Sequence, residues 1–271
     1  MLVVSRNFVI TPPTPDPWPV TADHPLVGWR NIVTTTNVAA DTAAAGYPVS
    51  NLANPATAQG WRAANDSEQY ITVTLGTTEP IDYVGVARHN FGSGNIPVSI
   101  EINIDGNWVE AVEERMLADD SPVMFRFNPA VPSALRVRLQ EGDAAPRAAV
   151  LYVGRLLVLE RKIWVGHTPL PDGIKANVAN GRSQSGEFLG DIVLGEWRES
   201  VLPLSLISPD WHRLHMRPFL KVAKNTPFFF AWRPEMYPLE VGFCKVINDV
   251  APVPVAPSNL LSFDLTLSGI T

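Results

Sequence analysis

Val98-Ser99-Ile100-Glu101-Ile102-Asn103-Ile104-Asp105-Gly106-Asn107-Trp108-Val109 reads as a strand, a turn and the start of a return strand. Valine and isoleucine alternate with polar residues, so an extended chain here has one apolar face and one wet face. Asp105-Gly106 is the pair that suits a tight hairpin, whose central residues need positive φ. The stretch therefore predicts antiparallel sheet with one face buried. Its surroundings repeat the pattern. Tyr70–Leu75 alternates and stops at Gly76, and Ile81–Ala87, Phe125–Phe127, Leu135–Leu139 and Val150–Gly154 read as further short strands. Gly, Pro and Asn separate them, which predicts an antiparallel sandwich over residues 23–158.

Composition agrees with a packed protein. Of 271 residues, 46% are hydrophobic and only 18% charged, a balance that excludes a disordered chain. No apolar run approaches the roughly 20 residues that span a bilayer, so no membrane partner is expected. The first eight residues lack a basic segment followed by a long apolar one, so no secretory leader is expected. One cysteine, Cys244, leaves no intramolecular disulfide and no multi-thiolate metal site. That usage points to synthesis in a reducing cytoplasm. A net charge of −6 argues against nucleic acid, because phosphate neutralisation needs clustered Lys and Arg. The 25 prolines punctuate the chain and favour strands and loops over helices.

The ends of the chain read differently. Residues 1–10 alternate weakly and predict one strand. Thr11 to Pro19 carries five prolines around Trp18 and cannot enter a sheet centre. Residues 1–22 are therefore expected to be a strand and a Pro-rich arm. Residues 159–271 predict a second β domain, a barrel or sandwich with one helix. Asn177–Gly190 is a Gly/Asn/Ser-rich stretch, Ile192–Leu194 and Ser200–Leu206 are separate strands, and Pro227–Trp232, Gly242–Ile247 and Leu260–Leu267 are three more. Ser208-Pro209-Asp210 is a helix start, with a serine cap, proline at the first helical position and an acid in the first turn. It predicts a helix over 208–224 if the chain tolerates Pro218.

The first half resembles the galactose-binding-like (discoidin-type) jelly roll. The matching text is Tyr47 to Leu52, Gly60-Trp61-Arg62-Ala63, Ile71 to Gly76, Ile81 to Asn90, and Asp105-Gly106-Asn107-Trp108, in that order. The second half, with Pro227 to Pro234, Tyr237-Pro238 and the terminal Ser268-Gly269-Ile270, resembles tail-tip and distal-tail components of long-tailed bacteriophages. That resemblance implies a virion structural protein, made in the host cytoplasm, forming a ring at the end of the tail tube. Its expected partners are copies of itself (a hexamer in preference to a trimer), the tail tube, and hub or fibre proteins. In the better-known order the hub-type domain precedes the jelly roll. Here the jelly roll comes first, unless residues 1–10 pair with the C-terminal domain and the jelly roll is an insertion. The alternative reading is a carbohydrate-binding adsorption module for a host glycan.

Candidate chemistry is sparse, and the expectation is no enzyme, no cofactor and no bound metal. His212 and His215 could share a helix face, but no third ligand has a recognisable spacing. The acid pairs Glu113-Glu114 and Asp119-Asp120 raise a glycosidase, yet neighbours on a strand point to opposite faces. No nucleophile elbow, phosphate loop or HExxH motif occurs. Cys244 sits in an apolar strand and is expected to pack. Trp61, Trp108 and Trp164 could stack on sugars, although Trp61 and Trp108 fall where a jelly-roll core is expected. The loop bearing His89, Asn90 and Asn95 is the candidate glycan or protein contact. Trp18, Trp197, Arg198, Trp232 and Arg233 are candidate interface anchors.

Overall fold

A computed structural model describes residues 1–9, 20–76, 78–163 and 165–270. The chain is mainly β, with strand at 45% and helix at 8%, and it stacks three sheets. The outermost sheet has five strands in the order Val38–Ala40, Gln69–Thr74, Ala134–Leu139, Val98–Ile104 and Asn107–Arg115. The middle sheet orders Leu2–Val4, Val123–Ala130, Ile81–Ala87 and Val150–Gly154. Together they make the expected sandwich, its core filled by alternate residues such as Ile71, Ile100 and Val137 facing Val84, Val86 and Phe125. The expected Asp105-Gly106 hairpin is present, with φ of +50° at Asp105 and +85° at Gly106 and Ile104 opposite Asn107.

Residues 2–4 join the sandwich, running parallel to Val123–Ala130 with Val3 opposite Phe125. The third sheet has eight strands, and its first two come from either end of the sandwich sequence. Leu157–Val158 pairs with Leu26–Gly28, which pairs in turn with Phe228–Ala231. Val241–Val246, Leu260–Ile270, Phe188–Ile207 and Ile174–Arg182 follow, and Val253–Val255 lies on Leu260–Ile270. Both ends of the expected 23–158 unit thus belong to the third sheet, and the sandwich is inserted between two of its strands.

This stacking explains why Ile81–Ala87 is buried at every position. Val84 and Val86 face the sandwich core, while Tyr83 and Ala87 face Phe229 and Phe243 of the eight-stranded sheet. A strand covered on both faces needs no polar alternation. The far face of the third sheet has its own core of Leu202, Phe230, Cys244 and Phe263, covered by a helical segment. Phe219 of that segment meets Phe228 edge-on at 4.8 Å.

Four expectations need correction. The helix runs over 209–220, not 208–224, and its middle, His212–Met216, widens to the i→i+5 pitch. Pro218 has no N–H and crowds the preceding turn, and a wider turn relieves both effects. Ser208 starts the helix without a side-chain capping bond. Ile192–Leu194 and Ser200–Leu206 lie in one 20-residue strand, Phe188–Ile207, and most of Asn177–Gly190 is its hairpin partner and turn. Trp108 is not in the core. It lies on an edge strand, 38% exposed, with the Arg136 guanidinium 4.3 Å from its ring centroid. Trp18 and Trp164 lie outside the described residues.

Candidate binding cleft

One end of the sandwich carries a cleft of about 590 Å³ built from four loops, contributed by residues 41–60, 88–97, 116–122 and 140–149. Each loop is tied down from beneath. Trp61 is 1% exposed and its indole Nε1–H donates to the Thr42 carbonyl at 2.8 Å. Asn51 Nδ2 donates to the Gly60 carbonyl at 2.9 Å. Asn90 does two jobs across the cleft: its Nδ2 donates to the Ala145 carbonyl at 3.1 Å, and its Oδ1 accepts from the Arg147 N–H at 2.8 Å.

His89 is equally committed. Its Nε2–H donates to the Ser121 carbonyl at 2.8 Å, its Nδ1 accepts from the Phe91 N–H at 3.2 Å, and its ring stacks on Phe91. Burial pushes its pKa down to about 4, so it is neutral at physiological pH. His89 and Asn90 therefore line the cleft but use their polar atoms to build it. Asn95 sits outside the lining with φ +47°, and its Nδ2 donates to Asp143 at 2.5 Å.

What the cleft presents to solvent is different. Tyr47 is 48% exposed, and Arg62, Arg88 and Arg147 are exposed beside it. Asp120 is the single carboxylate among the described lining residues. Both its oxygens accept from Ser93, from the N–H at 2.9 Å and the hydroxyl at 2.6 Å. The cleft thus offers a ring face, three guanidinium groups and backbone amides. It does not offer the two free carboxylates that glycoside hydrolysis needs.

The other candidates lie elsewhere. Glu113 holds Arg6 and Arg115, Glu114 accepts from Gln140, and Asp119 accepts from the Ser121 N–H. His212 lies against Phe263 and His215 against Trp211. Among the described residues, no group of three or more His, Cys, Asp or Glu is placed to hold a metal ion. No helix among them is long and apolar enough to cross a membrane. Cys244 is buried, and burial pushes its thiol pKa up.

The interface candidates divide. Arg233 and Trp232 are engaged within the chain: the guanidinium pairs with buried Asp23 at 2.8 Å, and the indole stacks on Tyr237 and donates to Glu240. Trp197 and Arg198 stand at the base of the hairpin formed by Ile174–Arg182 and Phe188–Ile207, bonded to Glu199 and Glu196. Beyond them Phe188, Leu189, Ile192, Val193 and Leu194 are all exposed. Sequence reasoning missed Arg147, and it used Tyr47, Arg62 and Arg88 only as parts of fold motifs. No local signal marks them, because loops far apart in the chain bring them together.

The F5/8 type C domain is the family whose profile matches, over residues 33–151. No curated protein matches the chain. Among solved structures, the chain is similar to chitosan-binding module 1 of a chitosanase/glucanase from Paenibacillus sp. IK-5, at 17% identity. The TM-score is 0.41, over 46% of this chain and 98% of that one. It is also similar to module 2 of that enzyme in complex with chitotriose, at 18% identity and TM-score 0.40, over 46% and 99%. A Clostridium perfringens CBM32 in complex with GalNAc-β-1,3-galactose stands at 18% and 0.38, over 43% and 93%. The N-terminal half of this mainly β chain carries an F5/8 type C jelly-roll domain, and the chain has a further β domain.

Proposed function

We propose that this chain is a non-catalytic saccharide-binding protein whose ligand lies in the cleft at the loop end of the sandwich. The observation that carries the reading is the division of labour there. Buried Trp61, His89 and Asn90 fix the loops, while Tyr47 and three arginines are left facing solvent. A ring face beside unspent polar groups on a rigid frame is how a protein holds a sugar, with its apolar ring face and equatorial hydroxyls. Among the described lining residues, no nucleophile beside a base and no pair of carboxylates accompanies it. The test is titration calorimetry of the chain against a panel of neutral and acidic oligosaccharides. Saturable binding that is lost in Tyr47→Ala is expected, and the reading falls if nothing on the panel binds at millimolar concentration.

The hairpin favours a second reading of the rest of the chain, as an assembly element of a virion tail tip. Ile192, Val193 and Leu194 are consecutive and all exposed, so the hairpin is bare on both faces. Adjacent strand residues point to opposite sides, and covering both takes a partner on each side, as neighbours in a ring would provide. The phage-tail resemblance of the C-terminal half supports the same reading. Light scattering and electron microscopy of the purified chain test it: a closed ring is expected, and a monomer at every accessible concentration would sink it.

A further inference from the structure

Arg62 and Arg147 stand directly opposite each other in the two-stranded ladder formed by Trp61–Arg62 and Arg147–Ala148. Residues so paired project from the same face, with Cβ atoms about 5 Å apart. Trp61 and Ala148 are buried while Arg62 and Arg147 are exposed, and both arginines line the cleft. Two like charges in this relation repel and destabilise the ladder. Among the described residues, no carboxylate lies within 4 Å of either, nor of Arg88. Several arginines elsewhere do have carboxylate partners: Arg136 on Glu101, Arg138 on Glu68, Arg233 on Asp23.

Arg88 adds an independent sign. Its φ is +55°, a region that costs a residue with a Cβ roughly 1–2 kcal/mol and that glycine or asparagine enters more readily. An arginine is nevertheless held there, exposed on the same cleft. Such strain gathers where a side chain must be aimed. Asp120 shares the lining, but its oxygens accept from Ser93 and it pairs with none of the three arginines, so one negative charge stands against three positive ones. A chain with net charge −6 thus concentrates unpaired positive charge at one mouth.

We propose that the ligand of this cleft is an acidic saccharide of the uronic acid kind, its carboxylate held between Arg62 and Arg147 while Tyr47 stacks on a sugar ring. This rests on the saccharide reading above and narrows it. A planar carboxylate matches the guanidinium fork and accepts from two arginines at once. Its charge removes the repulsion that the empty ladder carries, so the site is built for an anion. Arg88 is placed to take a hydroxyl or a second carboxylate of the same chain.

The experiment titrates the full chain with trimers of galacturonate, glucuronate, mannuronate and guluronate, each beside its methyl ester and beside inorganic phosphate. At least one acidic trimer is expected to bind tenfold or more tightly than its own ester, with the difference shrinking as salt rises. Arg62→Gln/Arg147→Gln should erase that preference by weakening the acidic trimer far more than its ester, and should not lower the melting temperature. Esters or neutral sugars binding as well as the acids, still dependent on Tyr47, would overturn the acidic ligand and leave the saccharide reading standing. Phosphate competing as well as the best trimer would reduce the site to a plain anion site and overturn the proposal. Binding of no saccharide at all would remove both readings.

Discussion

The ring of Phe229 lies flat against Gly85: a Cβ placed on Gly85 would come within 2.6 Å of two ring carbons. The arrangement is reciprocal. Gly28, paired with Phe229 in the eight-stranded sheet, receives the ring of Tyr83 from the sandwich, again at 2.6 Å from a would-be Cβ. Each sheet thus offers a glycine beside an aromatic ring, and the two sheets interlock as a pair of teeth in a pair of gaps. Tyr83 is further fixed by its hydroxyl, which donates to the Arg30 carbonyl at 2.5 Å.

Filling the gap should therefore cost more than emptying the surface of a strand. Gly85→Ala is expected to destabilise by about 1–3 kcal/mol, as overpacking does, and Phe229→Ala by about 3–5 kcal/mol. The double variant should cost less than the sum, because the new methyl occupies part of the space the ring vacates. Denaturant unfolding of the four proteins measures the coupling, and strict additivity would contradict the interlock.

Two buried titratable groups pull stability in opposite directions with pH. His89 is depressed to about 4 by burial, so its contribution is full above 6.5 and is lost as pH falls through 4. Asp82 is raised by burial to about 6, so its contribution is full below 3.8 and is lost as pH rises through 6. Each slope is at most about 1.4 kcal/mol per pH unit, and between 4 and 6 they offset. Asp82→Asn keeps an acceptor for the Leu156 N–H and should make acid destabilisation steeper in that window. His89→Gln should flatten or reverse it. Unfolding free energies measured every half unit from pH 4 to 7 decide; parallel curves for all three proteins would refute the assignment.

Asn90 should act on binding through the loop it ties. Asn90→Ala removes the bonds to the Ala145 carbonyl and the Arg147 N–H, leaving part-buried backbone groups without their partner at a cost of about 1 kcal/mol. Loosening 144–149 also releases the backbone that aims Arg147. We expect saccharide affinity to drop severalfold, mostly through faster dissociation, while Asn95→Ala, outside the lining, leaves it unchanged. Surface plasmon resonance separates the two.

The hairpin should be separable from the fold. Replacing residues 177–195 by a two-residue turn shortens the paired strands but removes almost no buried side chain. The melting temperature is expected to stay within a few degrees, and any ring to dissociate into monomers. A large loss of stability would mean that the hairpin packs on its own protomer instead.

Much of the fold was legible because it depends on local period. Alternation in Val98–Ile104, the Asp105-Gly106 turn and the mostly apolar stretch Ile81–Ala87 each mark a strand or its end without knowledge of any partner. The helix start at Ser208-Pro209-Asp210 was legible for the same reason, although its length depended on how the chain absorbed Pro218. Trp108 misled because a motif position says nothing about which strand ends a sheet.

What the tertiary structure alone decided is which strands share a sheet and which loops share a cleft. Leu26–Gly28 and Leu157–Val158 are unremarkable apolar stretches, and only their pairing beside Phe228–Ala231 makes the sandwich an insertion. Arg62 and Arg147 are separated by most of the jelly roll, and nothing near either one announces the other. Their opposition arises from the register of a two-residue ladder, set by the burial of Trp61 and Ala148 on its inner face. Residue type and spacing determine strands locally; register between distant segments is chosen by the core they close around, and here that choice assembles the charge at the cleft.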